Sequence, residues 1–411
     1  MPLSGLTALD LTDRKGYVCG QILGDLGVDV IKVESPGGDP GRQIGPFYHN
    51  TKDPEKNLYW FAFNRSKRGI TLDIKSKAGQ ELCKELVKRS DFLLESFSPG
   101  YLDRLGLEFS SLNEINPRLI MTSITPFGQT GPYRNYKGYN LTLMGMSGFS
   151  YIAGDPDRPP LSLPAENSFT LAGVSAAAGT LLAHWQRQST GRGEHVDVSI
   201  HEVMVRGITL ELGFWLLQKH IVKRSGMFRY RGNIMQRTTW PCKDGLISWM
   251  FFGGAFGAGQ VLQLVKWMED EGVETSLKEK SQNWVNIDLS RVSQDEVQSW
   301  EKEFGDFIRD KTKKQIYEEA IKRGLFMAPM NNIKDVAQDK HLQSRKSWTK
   351  LLHRELGEEI TYPGGFYKSN RESPEARSRA PLIGEHNKQI YEEELGISTE
   401  YIAELKKERI I

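Results

Sequence analysis

Cations and aromatic rings crowd one short stretch of this chain, Phe61-Ala62-Phe63-Asn64-Arg65-Ser66-Lys67-Arg68, which runs into an apolar strand pattern ending at Lys75. Arg65, Lys67, Arg68 and Lys75 place four positive charges within eleven residues. Such groups at the edge of a parallel sheet suit a multiply phosphorylated ligand. They equally suit the solvated end of a strand. A second candidate is Gly253-Gly254-Ala255-Phe256-Gly257-Ala258-Gly259, whose glycines fit either a mobile lid over a substrate or a plain loop. His184, His195 and His201 fall on a helix, a strand and the start of the next helix, and structural roles are expected for them.

Other chemistries are argued against by what is missing. The turn after the first strand reads Asp13-Arg14-Lys15-Gly16 rather than Gly-x-Gly-x-x-Gly, which excludes the usual nicotinamide and flavin fingerprint. No P-loop, His-Glu-x-x-His or Cys-x-x-Cys pattern occurs, so no metal is expected. A net charge of +2 over 411 residues gives no reason to invoke nucleic acid or an anionic membrane. Cys19, Cys83 and Cys242 form an odd, sparse set, which fits a reducing compartment and a cytoplasmic location. The N-terminus lacks the basic and apolar regions of a secretory leader, and no apolar run reaches membrane-spanning length.

The elements that must position these residues are legible from hydrophobic period. Thr7–Thr12, Val28–Glu34, Arg68–Ile74, Asp91–Phe97 and Arg118–Ile124 read as strands, with helices at Tyr17–Leu26 and Ser76–Arg89 between them. In the second helix Leu82, Cys83, Leu86 and Val87 share one face of a 3.6-residue period. This alternation predicts an α/β domain with a mostly parallel sheet and right-handed crossovers. A small-residue helix over Thr170–Gln188, a strand at Glu194–Ile200 and a long helix over Glu202–His220 follow. Beyond residue 225 the pattern predicts a hairpin around Lys243-Asp244-Gly245, then helices over 260–272 and 295–323. An extended part near Ile360–Gly364 and a charged terminal helix complete the reading.

Taken in order along the chain, six motifs resemble the class III CoA-transferase family. They are Gly24-Asp25-Leu26-Gly27-Val28-Asp29-Val30-Ile31-Lys32-Val33-Glu34, Asn64-Arg65-Ser66-Lys67-Arg68-Gly69-Ile70-Thr71-Leu72-Asp73 and Glu95-Ser96-Phe97-Ser98-Pro99-Gly100. Phe127-Gly128-Gln129-Thr130-Gly131-Pro132, Thr190-Gly191-Arg192-Gly193 and Arg379-Ala380-Pro381-Leu382-Ile383-Gly384-Glu385-His386 complete the set. The resemblance implies a large Rossmann-like domain built from residues 1–222 and 325–411, a smaller α+β domain over 223–324, and two chains interlocked as a dimer. It also implies coenzyme A or an acyl-CoA as substrate, bordered by Leu72, Lys75, Ser96, Phe97, Arg104 and Lys137. Ser96 departs mildly from the Asn often found there.

In that family an aspartate attacks the acyl-CoA thioester, giving a mixed anhydride that CoA thiolate opens to an enzyme-bound thioester. Four residues before Gly173, where the aspartate belongs, this chain has Phe169, and a phenyl ring cannot form an anhydride. Lys137-Gly138-Tyr139-Asn140 lacks the histidine of the racemase branch, so racemization is not expected. The resemblance therefore implies a subunit without the nucleophile, interlocked with a homologous aspartate-bearing chain in a heterodimer or heterotetramer. Such heteromers act in anaerobic aromatic degradation, moving CoA from a donor such as succinyl-CoA to an acid such as benzylsuccinate. Two alternatives stay open: a self-sufficient transferase using Glu166, three residues upstream, and a non-catalytic acyl-CoA binding protein.

Overall fold

The computed structural model describes residues 1–231 and 234–411. Its central feature is a sheet of six parallel strands, β1 (Thr7–Asp10), β2 (Asp29–Glu34), β3 (Lys67–Thr71), β4 (Phe92–Glu95), β5 (Ile120–Thr125) and β6 (His195–Ser199), in the order β3-β2-β1-β4-β5-β6. The expected α/β architecture is thus present, and the strand order reverses between β1 and β4. Side chains along a strand alternate between faces. Leu9, Ile31 and Leu93 accordingly enter one apolar cluster, while Ala8, Val30, Phe92 and Leu94 enter another on the opposite face.

Helices cover both faces: α1 (Tyr17–Asp25), α2 (Leu58–Phe63), α3 (Lys77–Lys88), α4 (Phe109–Ile115), α5 (Asn140–Met146), α6 (Phe149–Ile152), α7 (Asn167–Thr190), α8 (Ile200–Arg206) and α9 (Thr209–Gln218). Ser76 caps α3 by accepting from the Gly79 N–H, and Leu82, Cys83, Leu86 and Val87 are its buried stripe, as their spacing predicts. The α7 helix lies against α1 so closely that a Cβ on Gly173 would come within 2.6 Å of Val18 Cβ. Two helices, α8 and α9, replace the single one expected over Glu202–His220. The break falls at Gly207, where a Cβ would lie 2.6 Å from the Phe149 ring. Glycine is a poor helix former, so the contact it permits outweighs helix continuity.

The chain forms two compact units: residues 1–150, 162–220 and 340–411 make the first, and residues 151–161 and 221–339 the second. In the second unit, β7 (Phe228–Arg231) pairs with β8 (Ile234–Arg237), while β9 (Thr239–Cys242) and β10 (Gly245–Ser248) form the expected hairpin across Lys243-Asp244. The helices are α10 (Gly254–Asp270), α11 (Leu277–Ser281), α12 (Gln294–Ile308) and α13 (Lys313–Arg323). Strand β11 (Ala328–Pro329) pairs with β10, which keeps the following residues with this unit. Trp240, Trp249, Trp267, Trp284 and Trp300 share its core.

The glycine run at 253–259 is not a lid; it opens α10. A Cβ on Gly257 would sit 1.6 Å from the Phe252 carbonyl oxygen, and one on Gly253 would sit 2.7 Å from that of Ile287. These glycines therefore serve close backbone approach rather than mobility.

The C-terminal part of the first unit contains the hairpin β12 (Trp348–His353) and β13 (Glu358–Pro363), and then returns along β3, the sheet's edge. His386 Nδ1 accepts from the Gly69 N–H at 3.0 Å, and Asn387 Oδ1 accepts from the Thr71 N–H at 2.9 Å. Side chains thus satisfy backbone donors that an edge strand leaves open. Arg42 fastens this return: it is bidentate to buried Glu34 (2.6 and 2.8 Å), bonds Glu55 at 2.7 Å and the Pro381 carbonyl at 2.8 Å, and lies 3.7 Å from the Trp60 ring centroid. Removing one partner strands a buried charge at a cost of about 3–5 kcal/mol. Arg42→Met should lower the urea-unfolding free energy by about that amount, and adding Glu34→Gln should restore part of it.

Candidate active site

Ligands of open α/β sheets bind beyond the carboxyl ends of the strands, at the point where strand order reverses. A cavity of about 340 Å³ occupies that place here, bounded by the ends of β1 to β4. Leu72, Lys75, Ser96 and Phe97 all line it, together with Thr12, Asp13, Glu34, Asp39 and Tyr101. Leu72 and Ile74 supply aliphatic surface, and Phe97 stacks on Tyr101 with ring centroids 4.8 Å apart. Arg104 stands behind Tyr101, its guanidinium 5.6 Å from that ring. Lys137 does not line the cavity and is solvent-exposed. The walls suit a flat ring, with exposed Lys75 offering positive charge at the rim.

The floor is held by a clasp between the β1–α1 turn and the end of β4. Ser96 Oγ accepts from the Asp13 N–H at 2.8 Å and donates to Asp13 Oδ1 at 2.9 Å. Burial opposes ionization of Asp13, but Lys15 and these hydrogen bonds hold its carboxyl below the ordinary range. Just behind, burial raises the Glu95 carboxyl to about 7, against the opposing pull of Ser123, the Phe97 N–H and Lys15. Glu95 Oε2 accepts that N–H at 2.7 Å, so the carboxyl group orients the residue that forms the cavity wall. Sequence reasoning missed Tyr101 and Asp13. The one available signal for Tyr101 is its place four residues after Phe97, just beyond a Ser-Pro-Gly turn.

Phe169 stands elsewhere. It lies in the first turn of α7, 4% exposed, within the apolar cluster of α1, α7 and the sheet that includes Cys19, Leu23, Ala172 and Ile200. Beside it, Asn140 Oδ1 accepts from the Ser168 N–H (3.1 Å) and hydroxyl (2.7 Å). Glu166 precedes α7 and is ion-paired with Arg14 of the β1–α1 turn at 2.9 Å. No cysteine supplies a substitute nucleophile near this position: Cys19 is fully buried and its thiol is pushed far up by that burial. Among the described residues, no group of His, Cys, Asp or Glu is arranged to hold a metal ion, and no helix is long and apolar enough to cross a membrane.

Residues 3–387 match the family described as CoA-transferase family III. The chain belongs to CoA-transferase family III. It is 34% identical over 387 residues to the succinyl-CoA:(R)-benzylsuccinate CoA-transferase subunit BbsE of Thauera aromatica, covering 94% of this chain and 93% of that one. It is 30% identical to the beta subunit of the succinyl-CoA–L-malate CoA-transferase of Chloroflexus aurantiacus, covering 100% of this chain and 98% of that one. Among solved structures, a CaiB/BaiF family protein from Brucella suis superposes with a TM-score of 0.81 at 29% identity, over 96% of this chain and 99% of that one. Family III enzymes act on CoA thioesters, and the relatives from Thauera aromatica and Chloroflexus aurantiacus are both named as subunits.

Proposed function

We propose that this chain is the non-nucleophilic subunit of a heteromeric CoA-transferase. Its partner would be a homologous chain bearing the aspartate. The observation that carries the reading is Phe169: the family scaffold runs through it, yet the side chain is apolar and turned into the core. The partner's aspartate attacks the thioester carbonyl and expels CoA thiolate. The thiolate attacks the aspartyl carbonyl of the anhydride, releasing the donor acid and leaving an aspartyl-CoA thioester. The acceptor carboxylate attacks that thioester to form a second anhydride and free thiolate, which attacks the acceptor's carbonyl to give its CoA ester and the aspartate again. Here the chain's own part is to hold the assembly, and to border a CoA path with Leu72, Lys75, Ser96 and Phe97 at the cavity and with Arg104 and Lys137 outside it. Position 169 becomes a pseudo-active site.

Two further observations support a partner. Leu182 and Trp185 on α7 are 65% and 75% exposed, and Leu217 on α9 is 87% exposed. Apolar surface of this kind marks interaction sites, and an interlocked heterodimer or heterotetramer would cover it. The similarity to a benzylsuccinate transferase subunit supports succinyl-CoA as donor and benzylsuccinate as acceptor; a cytoplasmic setting in anaerobic aromatic degradation completes the proposal. Glu166 is engaged by Arg14, which does not favour its service as a free nucleophile.

The test is CoA transfer from succinyl-CoA by the purified chain, alone and co-expressed with an aspartate-bearing homologue. Activity should be at background alone and rise by about 10³-fold or more with the partner, the scale set by loss of a covalent nucleophile. Robust turnover by the single chain would overturn the reading. Binding of CoA esters without any effect on a partner's rate would instead make the chain an acyl-CoA binding protein.

A further inference from the structure

The turn that follows the first strand of a doubly wound sheet faces the ligand side of the fold. In this chain that turn presents Arg14, a residue built for carboxylates because its planar guanidinium donates in parallel. The Arg14 guanidinium does not face open solvent. Nη1 meets Glu166 Oε1 at 2.9 Å, and both side chains are largely covered, with 27% and 19% of their surfaces exposed. The Tyr59 ring completes the enclosure, 5.9 Å from the guanidinium carbon. Burial first, and then contact with the Glu166 carboxylate, drive the Tyr59 phenol far above its ordinary range. The second carboxylate oxygen, Oε2, is buried and makes no hydrogen bond of normal geometry. Arg14 grips one oxygen and the Tyr59 phenol meets the carboxylate, so a free carboxylate of similar size would find the same two partners here.

We propose that Arg14 and Tyr59 form a binding site for a small carboxylate, and that the chain fills this site with its own Glu166. The site lies three residues from Phe169, at the position the subunit reading treats as vestigial. There the internal carboxylate excludes a substrate acid by charge and by volume. A free acid therefore does not dwell where no nucleophile stands. The inference deepens the subunit reading, and its test reads only this chain's stability, so it can fail while that reading holds.

The experiment truncates the plug and supplies a carboxylate from solution. Glu166→Ala in the full chain should lower Tm. Sodium acetate at 200 mM should then raise Tm by about 2 °C or more over sodium chloride of equal ionic strength, by mass action on the folded state. The unsubstituted chain and the Arg14→Gln/Glu166→Ala double variant should show no acetate-specific rise. Glu166→Ser, which keeps a favoured residue type at the start of α7, is the second variant and should respond like alanine. If acetate stabilizes the truncated variants no more than the unsubstituted chain, the proposal is overturned. It is overturned equally if neither variant folds even with acetate present, because restoring the contact should restore the fold.

Discussion

Replacing Phe169 by aspartate is expected to destabilize this chain severely and to give no acyl-enzyme. On the proposed reading this change puts the family's nucleophile back, but the local magnitudes decide against a repair. The side chain is 4% exposed and belongs to the apolar cluster that joins α1 and α7 to the sheet. Deleting a buried phenylalanine costs about 3–5 kcal/mol, and an uncompensated buried carboxylate adds a penalty of several more. An acid in the first turn of a helix gains only about 0.3–1 kcal/mol from the helix dipole. The net loss therefore approaches the whole stability of a typical domain. Urea unfolding of Phe169→Asp and Phe169→Leu measures it, with leucine expected to be far milder. A Phe169→Asp chain as stable as the original, forming a hydroxylamine-sensitive intermediate from succinyl-CoA, would refute the placement of this residue in the core.

The second large effect is a pH dependence centred on Glu95. Burial lifts its carboxyl from the ordinary 4.5 to about 7 in the folded chain. A raised acid holds its proton longer when folded than when unfolded. Its stabilizing contribution is therefore complete below about pH 4.5 and is lost as pH rises through about 7. The size follows from about 1.4 kcal/mol per unit, giving a loss of about 3 kcal/mol across that window. Asp13, Lys15, Ser123 and the Phe97 N–H are the groups that face Glu95 and set this balance. Glu95→Gln keeps an acceptor for the Phe97 N–H and carries no charge. The difference in unfolding free energy between the two proteins, measured at pH 5, 6, 7 and 8, should widen in favour of the glutamine variant as pH rises. A constant difference would remove the buried carboxyl from this account.

How legible this was in the sequence depended on the kind of signal. The strands of the sheet announced themselves because Leu9, Val30, Ile31 and Leu93 are apolar on both faces, as strands between two helix layers must be. Lys75, Ser96 and Phe97 border one cavity because they follow β3 and β4 of a single parallel sheet, whose strands all end on the same side. The glycines at 253–259 were ambiguous in principle, since the residue that permits motion also permits close packing. Only the carbonyls of Phe252 and Ile287 distinguish the two. The break at Gly207 depends likewise on Phe149, distant in sequence. The Arg14–Glu166 contact spans the β1–α1 turn and the start of α7, and no local pattern encodes it.

The edge of the sheet has a consequence in time. Strand β3 is completed by His386 and Asn387, more than three hundred residues later in the chain. A ribosome emits the first unit's strands long before it emits the residues that close them off, and domains fold as they emerge. Throughout that interval Gly69 and Thr71 present unpaired donors on a nearly complete parallel sheet, the kind of exposed edge that recruits other strands. Contacts of such long sequence separation also form slowly. Truncations that remove His386 and Asn387 should thus act on the oldest part of the nascent protein, and synthesis through that segment sets when the first strands become safe from aggregation.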